Sequence, residues 1–243
     1  MYLSISKTSE EMGAIAAQKV KELIDKAVAE KGEARMMVST GQSQFEFFET
    51  LVTLDIPWDK VEIFHLDEYV DLPITHIASF RKYLKERFID KVGSKRMNYI
   101  TGEGDTAKTI AEITAAIREK PIDIGVIGIG ENGHIAFNDP WVADFNDPAI
   151  IKAVTLDERC RTQQVNDGCF EKLEEVPTQA LTVTIPGLCR AKYMFCSVPA
   201  ATKAEAIGNM LNGEVTVDCP ASILTTHEDA YLYTDRDAAA RIL

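Results

Sequence analysis

Short apolar runs alternate along this chain with stretches of helical periodicity, and that alternation limits the fold more than any other feature. The predicted strands lie at 34–38, 61–66, 122–130, 150–156, 181–185, 193–198 and 230–234. The predicted helices include 9–31, 80–88 and 201–211. The pattern predicts an α/β fold with a doubly wound, mostly parallel sheet and helices on both faces, a Rossmann-like three-layer sandwich.

Composition sets limits on the partners of the chain. Its 243 residues carry a formal net charge of −12, whereas binding to nucleic acid or to an anionic membrane needs a basic face. No apolar run has the length of a membrane span, and two glutamates interrupt the first twenty residues, where a secretory signal needs an apolar stretch. We expect a single domain over 1–243 in the cytoplasm, a monomer or small homo-oligomer, with no nucleic-acid or membrane partner.

Residues that follow the predicted strands are the candidates for chemistry, because ligands of open parallel sheets bind at the carboxyl ends of the strands. The segment Thr40, Gly41, Gln42, Ser43 follows the strand at 34–38 and begins a helical stretch. Free backbone N–H groups and hydroxyls there could receive a phosphate, although an ordinary strand-to-helix turn has the same pattern. Lys203, after a later strand, could reach that phosphate as a point charge.

Two further strand ends carry groups suited to acid–base catalysis. Asp67 and Glu68 follow a buried strand, and because consecutive side chains diverge, we expect at most one of them to face a ligand. The run GIGENGHIAFND supplies glycines, among them Gly130, that could bring His134 into the same crevice as Asp67. Asp139 follows and could fix the tautomer of that histidine. The four histidines of the chain show no metal-binding spacing.

Three segments, LDEY at 66–69, GIGENGHIAFNDP at 128–140 and CPASILTTH at 219–227, resemble those of the glucosamine-6-phosphate deaminase family in order and separation. That family lies within a wider group that also contains 6-phosphogluconolactonases. The resemblance covers nearly the whole chain, and GHIAFN is its most specific part. It implies an aldose-to-ketose isomerisation with loss of ammonia, from glucosamine 6-phosphate and water to fructose 6-phosphate, with no cofactor.

The resemblance also implies a role for each matching residue. Asp67 would move a proton between C2 and C1 of the sugar, and His134 would assist opening of the ring. Asn132 and Asp139 would hold and tune that histidine. The sugar phosphate would be bound by the other matching residues, Thr40, Gly41, Gln42, Ser43, Glu68, Gly130, Arg161 and Lys203.

The chain departs from the family pattern at three places that bear on the site. Asn132 stands where many relatives have aspartate, although the pattern also admits asparagine. Asp139 stands where the family usually has glutamate, so its carboxylate is expected to miss His134 by on the order of 1 Å. Arg161 matches one family arginine, and nothing in 160–170 clearly matches a second one that binds phosphate. Two alternatives stay open: a 6-phosphogluconolactonase-type hydrolase in which His134 activates water, and a non-catalytic sugar-phosphate-binding protein.

Overall fold

The main sheet is seven strands wide and parallel in every pairing among the described residues. The computed structural model describes residues 1–166 and 168–243, apart from the side chains at 159, 163 and 166. In spatial order the strands are β1 (Tyr2–Ser6), β10 (Ala230–Asp235), β9 (Ala191–Val198), β6 (Ile122–Ile127), β2 (Ala34–Val38), β3 (Val61–His65) and β5 (Met97–Asn98). The predicted α/β class is confirmed.

Three short strands form a second, antiparallel sheet. They are β4 (Asp67–Tyr69), β8 (Gln179–Val183) and β7 (Ile151–Thr155), in that spatial order. The runs predicted at 150–156 and 181–185 are therefore strands, but they pair outside the main sheet. Exposed Ala153 and Thr155 give β7 a solvent face, which an antiparallel sheet allows and a doubly covered parallel sheet does not.

The helices connect the strands over the two faces of the main sheet. In the described part of the chain they are α1 (Ser9–Lys31), α2 (Phe45–Leu51), α3 (Phe80–Leu84), α4 (Asp90–Val92), α5 (Thr106–Glu119), α6 (Glu158–Asn166), α7 (Ile185–Leu188) and α8 (Ala204–Asn212). A π-helical turn, Lys85–Ile89, joins α3 to α4, so the helix predicted at 80–88 changes its hydrogen-bonding pattern midway. Thr8 caps α1, and Gly32 ends it with a φ of 83°.

Apolar side chains on the two faces of the main sheet form separate cores. Met36 and Val38 of β2 belong to a cluster with α1 and α2, whereas Met37 between them belongs to one with α5 and α8. The carboxyl ends of β2, β3, β6 and β9 reach the same edge of the sheet, because these strands are parallel. No helix in the described part of the chain combines the length and apolar character that crossing a membrane requires.

Candidate active site

A cavity of about 490 Å³ opens at the carboxyl edge of the main sheet. The segments that follow β2, β3, β6 and β9 all contribute to its wall. Eight of the predicted site residues line it, namely Thr40, Gly41, Gln42, Ser43, Asp67, Gly130, His134 and Lys203. The structure thus brings together side chains that lie far apart in the sequence.

Asp67 is the first residue of β4 and places a buried carboxyl group at the cavity wall. Burial raises the pKa of this carboxyl to about 8, and the charge of the neighbouring Glu68 adds to the rise. A group with a pKa near neutrality can both accept and return a proton, which is what a general base in an isomerisation has to do.

Glu68 does not line the cavity, and its carboxylate is completely buried. Its Oε2 accepts hydrogen bonds from Ser79 Oγ at 2.8 Å, from the Arg81 N–H at 2.9 Å and from Arg81 Nε at 3.1 Å, and its Oε1 accepts one from the Phe80 N–H at 3.2 Å. The two acidic side chains diverge as expected. Glu68 therefore lies outside the cavity, although the resemblance implied that it binds substrate. Its hydrogen bonds anchor the start of α3.

His134 is held through one side of its ring. Its Nδ1 lies 2.7 Å from Asn132 Oδ1 and 3.2 Å from Asp139 Oδ1, and Asn132 Nδ2 donates to the same Asp139 oxygen at 2.8 Å. The shorter carboxylate of Asp139 therefore reaches His134, and the expectation that it would miss is wrong. With Nδ1 occupied, Nε2 is the ring nitrogen left to exchange a proton with a ligand.

Backbone conformation at the cavity makes this arrangement possible. A Cβ on Gly130 would lie within 2.1–2.3 Å of three His134 ring atoms, so only glycine lets the ring rest against the main chain there. Ala136 and Ala200 also line the cavity, and both have positive φ values, 50° and 80°. Such strain in non-glycine residues is concentrated at functional sites.

The turn 40–43 and Lys203 form a further part of the cavity wall. Gln44 links this turn to the ends of β6 and β9. Its Nε2 donates to Ser43 Oγ at 3.0 Å and to the carbonyls of Ile127 and Ser197 at 3.4 Å each. The turn before Lys203 is held by Asp235 Oδ2, which accepts from the Ala200 N–H at 3.0 Å. The turn 40–43 and Lys203 thus line the same cavity.

Arg161 lies apart from the cavity lining. Its Nε donates to the Val176 carbonyl at 3.1 Å and its Nη2 to that of Leu173 at 2.5 Å, so the guanidinium fastens the segment after α6. The structure therefore does not group Arg161 with Lys203. Among the described residues that line the cavity, Lys203 is the only lysine or arginine.

Several lining residues carry no sequence signal that singles them out. Phe80 comes from the start of α3, where it stacks on Phe137 at 5.7 Å, and Gln164 of α6 accepts a hydrogen bond from Tyr69 Oη at 2.8 Å. Glu131, next to Gly130, could have been found, because it lies within the glycine-rich run. In the described part of the chain, no three His, Cys, Asp or Glu side chains are grouped to hold a metal ion.

Fold and cavity together define a Rossmann-like α/β enzyme whose cavity is lined by a carboxyl group, an imidazole, the turn 40–43 and Lys203. The chain belongs to the family of glucosamine-6-phosphate isomerases/6-phosphogluconolactonase, which matches residues 7–233.

Individual relatives agree with this assignment. The glucosamine-6-phosphate deaminase of Bacillus cereus (strain G9842) is 31% identical over 239 residues, which cover 98% of this chain and 88% of the relative. The structure of a monomeric glucosamine-6-phosphate deaminase matches with a TM-score of 0.90 and 29% identity, over 99% of this chain and 100% of the other. A putative 6-phosphogluconolactonase from Neisseria gonorrhoeae FA 1090 shares the fold, with a TM-score of 0.77 and 18% identity over 97% and 99% of the chains.

Proposed function

We propose that this protein converts glucosamine 6-phosphate and water to fructose 6-phosphate and ammonia. The observation that carries the proposal is the shared cavity of Asp67, His134 and the turn 40–43 with Lys203. In this proposal the groups that exchange protons with the sugar and the groups that bind its phosphate line the same cavity. The deaminases that this chain resembles at 31% and 29% identity support the choice of substrate.

In this mechanism His134 Nε2 takes the proton of the C1 hydroxyl and passes it to the ring oxygen, which opens the sugar to its aldehyde form. Asp67 then takes the proton from C2 while the carbonyl oxygen at C1 gains a proton, which gives an enolamine. Asp67 returns its proton to C1 while the amino nitrogen loses one to balance the proton on that oxygen, so that the aldose becomes a 2-imino ketose. Water adds to that imine and ammonia leaves, which balances the reaction. Asn132 and Asp139 keep the imidazole oriented, because their Oδ1 atoms accept from the Nδ1–H and leave Nε2 for the substrate.

The phosphate is bound by the backbone N–H groups of the turn 40–43, by the hydroxyls of Thr40 and Ser43, and by Lys203. Charge-assisted hydrogen bonds of this kind fix the position of a substrate as well as its affinity. Held at the phosphate, the open-chain sugar extends along the cavity toward Asp67, Gly130 and His134.

The test is release of ammonia from glucosamine 6-phosphate by wild-type protein and by Asp67→Asn. We expect the variant to lose about 10²–10⁴-fold in kcat, because a general base typically contributes that much. Asp71→Asn is the matched control, since Asp71 is exposed, lies outside the cavity wall and has a φ of 59° that asparagine accepts. Unchanged ammonia release by Asp67→Asn would refute Asp67 as the base.

A 6-phosphogluconolactonase activity is the second candidate, because the family that matches the chain includes that activity. In that case His134 would activate water for attack on a lactone. Hydrolysis of 6-phosphogluconolactone that far outruns deamination would favour it. The contact of Asp139 with His134 weakens the case for a non-catalytic binding protein, because that case rested partly on the shorter carboxylate.

We also propose that the chain acts as one domain in the cytoplasm, as a monomer. The match to a solved deaminase that is described as monomeric supports the assembly state, and it extends over nearly the whole chain. The five cysteines form no disulfide among the described residues, which fits a reducing compartment. Light scattering coupled to size-exclusion chromatography tests the assembly state directly.

A further inference from the structure

Helix α3 contacts the turn 40–43 from outside the cavity. Tyr83 Oη donates a hydrogen bond to the Gly41 carbonyl at 2.9 Å, and the Gln44 N–H donates to the same oxygen at 3.1 Å. Tyr83 itself is not part of the cavity wall, whereas Gly41 and Gln42 are. Gly41 has a φ of 101°, a conformation that glycine adopts without strain.

An aromatic stack reinforces this contact. The ring of Phe45, which lines the cavity, lies parallel to that of Tyr83, with centroids 5.8 Å apart and an interplanar angle of 18°. The guanidinium carbon of Arg87, from the π-helical turn, lies 3.8 Å from the Phe45 centroid and 5.5 Å from that of Tyr83. The Phe45 ring therefore packs against Tyr83, and the Arg87 guanidinium packs against the Phe45 ring.

The element that carries Tyr83 is itself anchored. The buried carboxylate of Glu68 binds the backbone N–H groups of Phe80 and Arg81 and the side chain of Arg81 at the start of α3. Burial raises the pKa of the Tyr83 hydroxyl above its ordinary value, so it stays protonated and remains a donor. The hydrogen bond to Gly41 thus joins two parts of the structure that are each held in place.

The geometry of a peptide unit connects this contact to the phosphate. In a trans peptide the C=O and the N–H point in opposite directions, and the Gly41 carbonyl shares its peptide plane with the Gln42 N–H. A carbonyl held outward by Tyr83 therefore directs that N–H away from Tyr83, toward the cavity that Gln42 lines. As the first residue of a helical turn, Gln42 has no carbonyl one turn earlier to bond.

We propose that Tyr83 is a positioning residue for phosphate recognition: its hydroxyl orients the Gly41–Gln42 peptide so that the amide faces the ligand. Tyr83 touches no substrate atom in this account, and it acts through the turn. The inference rests on the proposed function only in that the turn binds the phosphate of the substrate.

The test measures binding of fructose 6-phosphate and of inorganic phosphate by calorimetry, together with KM and kcat for glucosamine 6-phosphate. Tyr83→Phe keeps the ring and removes the hydroxyl, so we expect both dissociation constants and KM to rise about three- to tenfold, as for a lost hydrogen bond. The value of kcat should stay within about twofold, because Asp67 and His134 are unaffected. Tyr231→Phe is the matched control, since Tyr231 of β10 stacks on Phe195 of β9, and the binding constants of this variant should equal those of the wild type.

A second variant, Arg87→Met, keeps the hydroxyl and removes only the charge above Phe45. It should weaken phosphate binding in the same direction and by less than Tyr83→Phe. Wild-type affinity for inorganic phosphate in Tyr83→Phe would overturn the proposal, and so would a lower kcat with unchanged KM. If the wild type binds phosphate but releases no ammonia, the proposed function fails while the binding ratios still decide the role of Tyr83.

Discussion

At the scale of single residues, two carboxyl groups of the site are shifted in opposite directions by their surroundings. Burial raises the pKa of Asp67 to about 8. Burial also acts to raise the pKa of Asp139, but the hydrogen bond and charge of His134 and the hydrogen bond of Asn132 outweigh it and hold that pKa below its ordinary value. Asp139 is therefore ionised and orients the imidazole, while Asp67 can gain and lose a proton near neutral pH.

The pKa of Asp67 predicts the pH dependence of catalysis. A base works only when deprotonated, so kcat/KM should rise with pH and level off above about 8. The profile of kcat/KM between pH 5 and 10 checks this, with correction for the titration of the substrate measured separately. A limb centred near the ordinary aspartate value would contradict the buried environment of Asp67.

The same shift predicts how stability depends on pH. Because the folded protein holds the Asp67 proton more tightly than the unfolded chain, it binds more protons between pH 3.8 and about 8. The contribution of Asp67 to the free energy of unfolding is present below that window and is lost as pH rises through it. Urea titrations should show that Asp67→Asn lacks this decline relative to wild type, whereas Asp71→Asn keeps it.

At the scale of secondary-structure elements, α3 depends on a buried ion pair. Arg81 pairs with Glu68, which is fully buried, and with Glu103, whose side chain is 43% exposed. Glu68→Ala leaves the Arg81 charge and several N–H donors without their buried acceptor, so we expect it to lower the free energy of unfolding by about 3–5 kcal/mol. Glu103→Ala should cost less than about 1 kcal/mol, because its carboxylate is hydrated. Equal losses in urea denaturation would contradict this account.

How far the sequence predicted these elements depends on how local each signal is. Strands β2 and β6 are visible in the sequence as buried runs, although β6 ends at Ile127 and the predicted run 122–130 extends past it into the glycine-rich loop. The positions of Asp67, His134 and Lys203 follow from the rule that ligands bind at strand ends. The three-residue strand β4 is too short to show a period, and its pairing with β8 joins segments over a hundred residues apart.

Side-chain direction was the part that sequence could not supply. Nothing local distinguishes Asp67, which faces the cavity, from Glu68, which binds Arg81, until α3 packs beside them. Arg161 matched a family arginine, yet its guanidinium turns to the carbonyls of Val176 and Leu173. Phe80 and Tyr83 reach the site through the placement of a whole helix, which depends on tertiary packing.

At the scale of the whole molecule, the protein and its proposed sugar-phosphate substrate both carry negative charge. The net charge is −12, and Glu46, Glu131 and Asp235 line the cavity together with Asp67. Long-range electrostatics therefore repel a sugar phosphate, and binding has to come from short-range contacts. We propose that those contacts are made by the amides of the turn 40–43 and by the ammonium of Lys203.

Lys203→Met tests this division between short-range attraction and long-range repulsion. Loss of a charged hydrogen-bonding group should raise KM for glucosamine 6-phosphate about 10–100-fold, whereas Lys192→Met, at an exposed position outside the cavity wall, should leave it unchanged.

The dependence of KM on salt makes the test more specific, because raising the ionic strength shortens the Debye length from about 30 Å at 0.01 M to about 8 Å at 0.15 M. In Lys203→Met only the repulsion remains to be screened, so its KM should fall as salt is added. In the wild type, screening of Lys203 opposes that effect, and KM should stay level or rise. A KM for Lys203→Met that climbs with salt as steeply as that of the wild type would mean that another cation holds the phosphate.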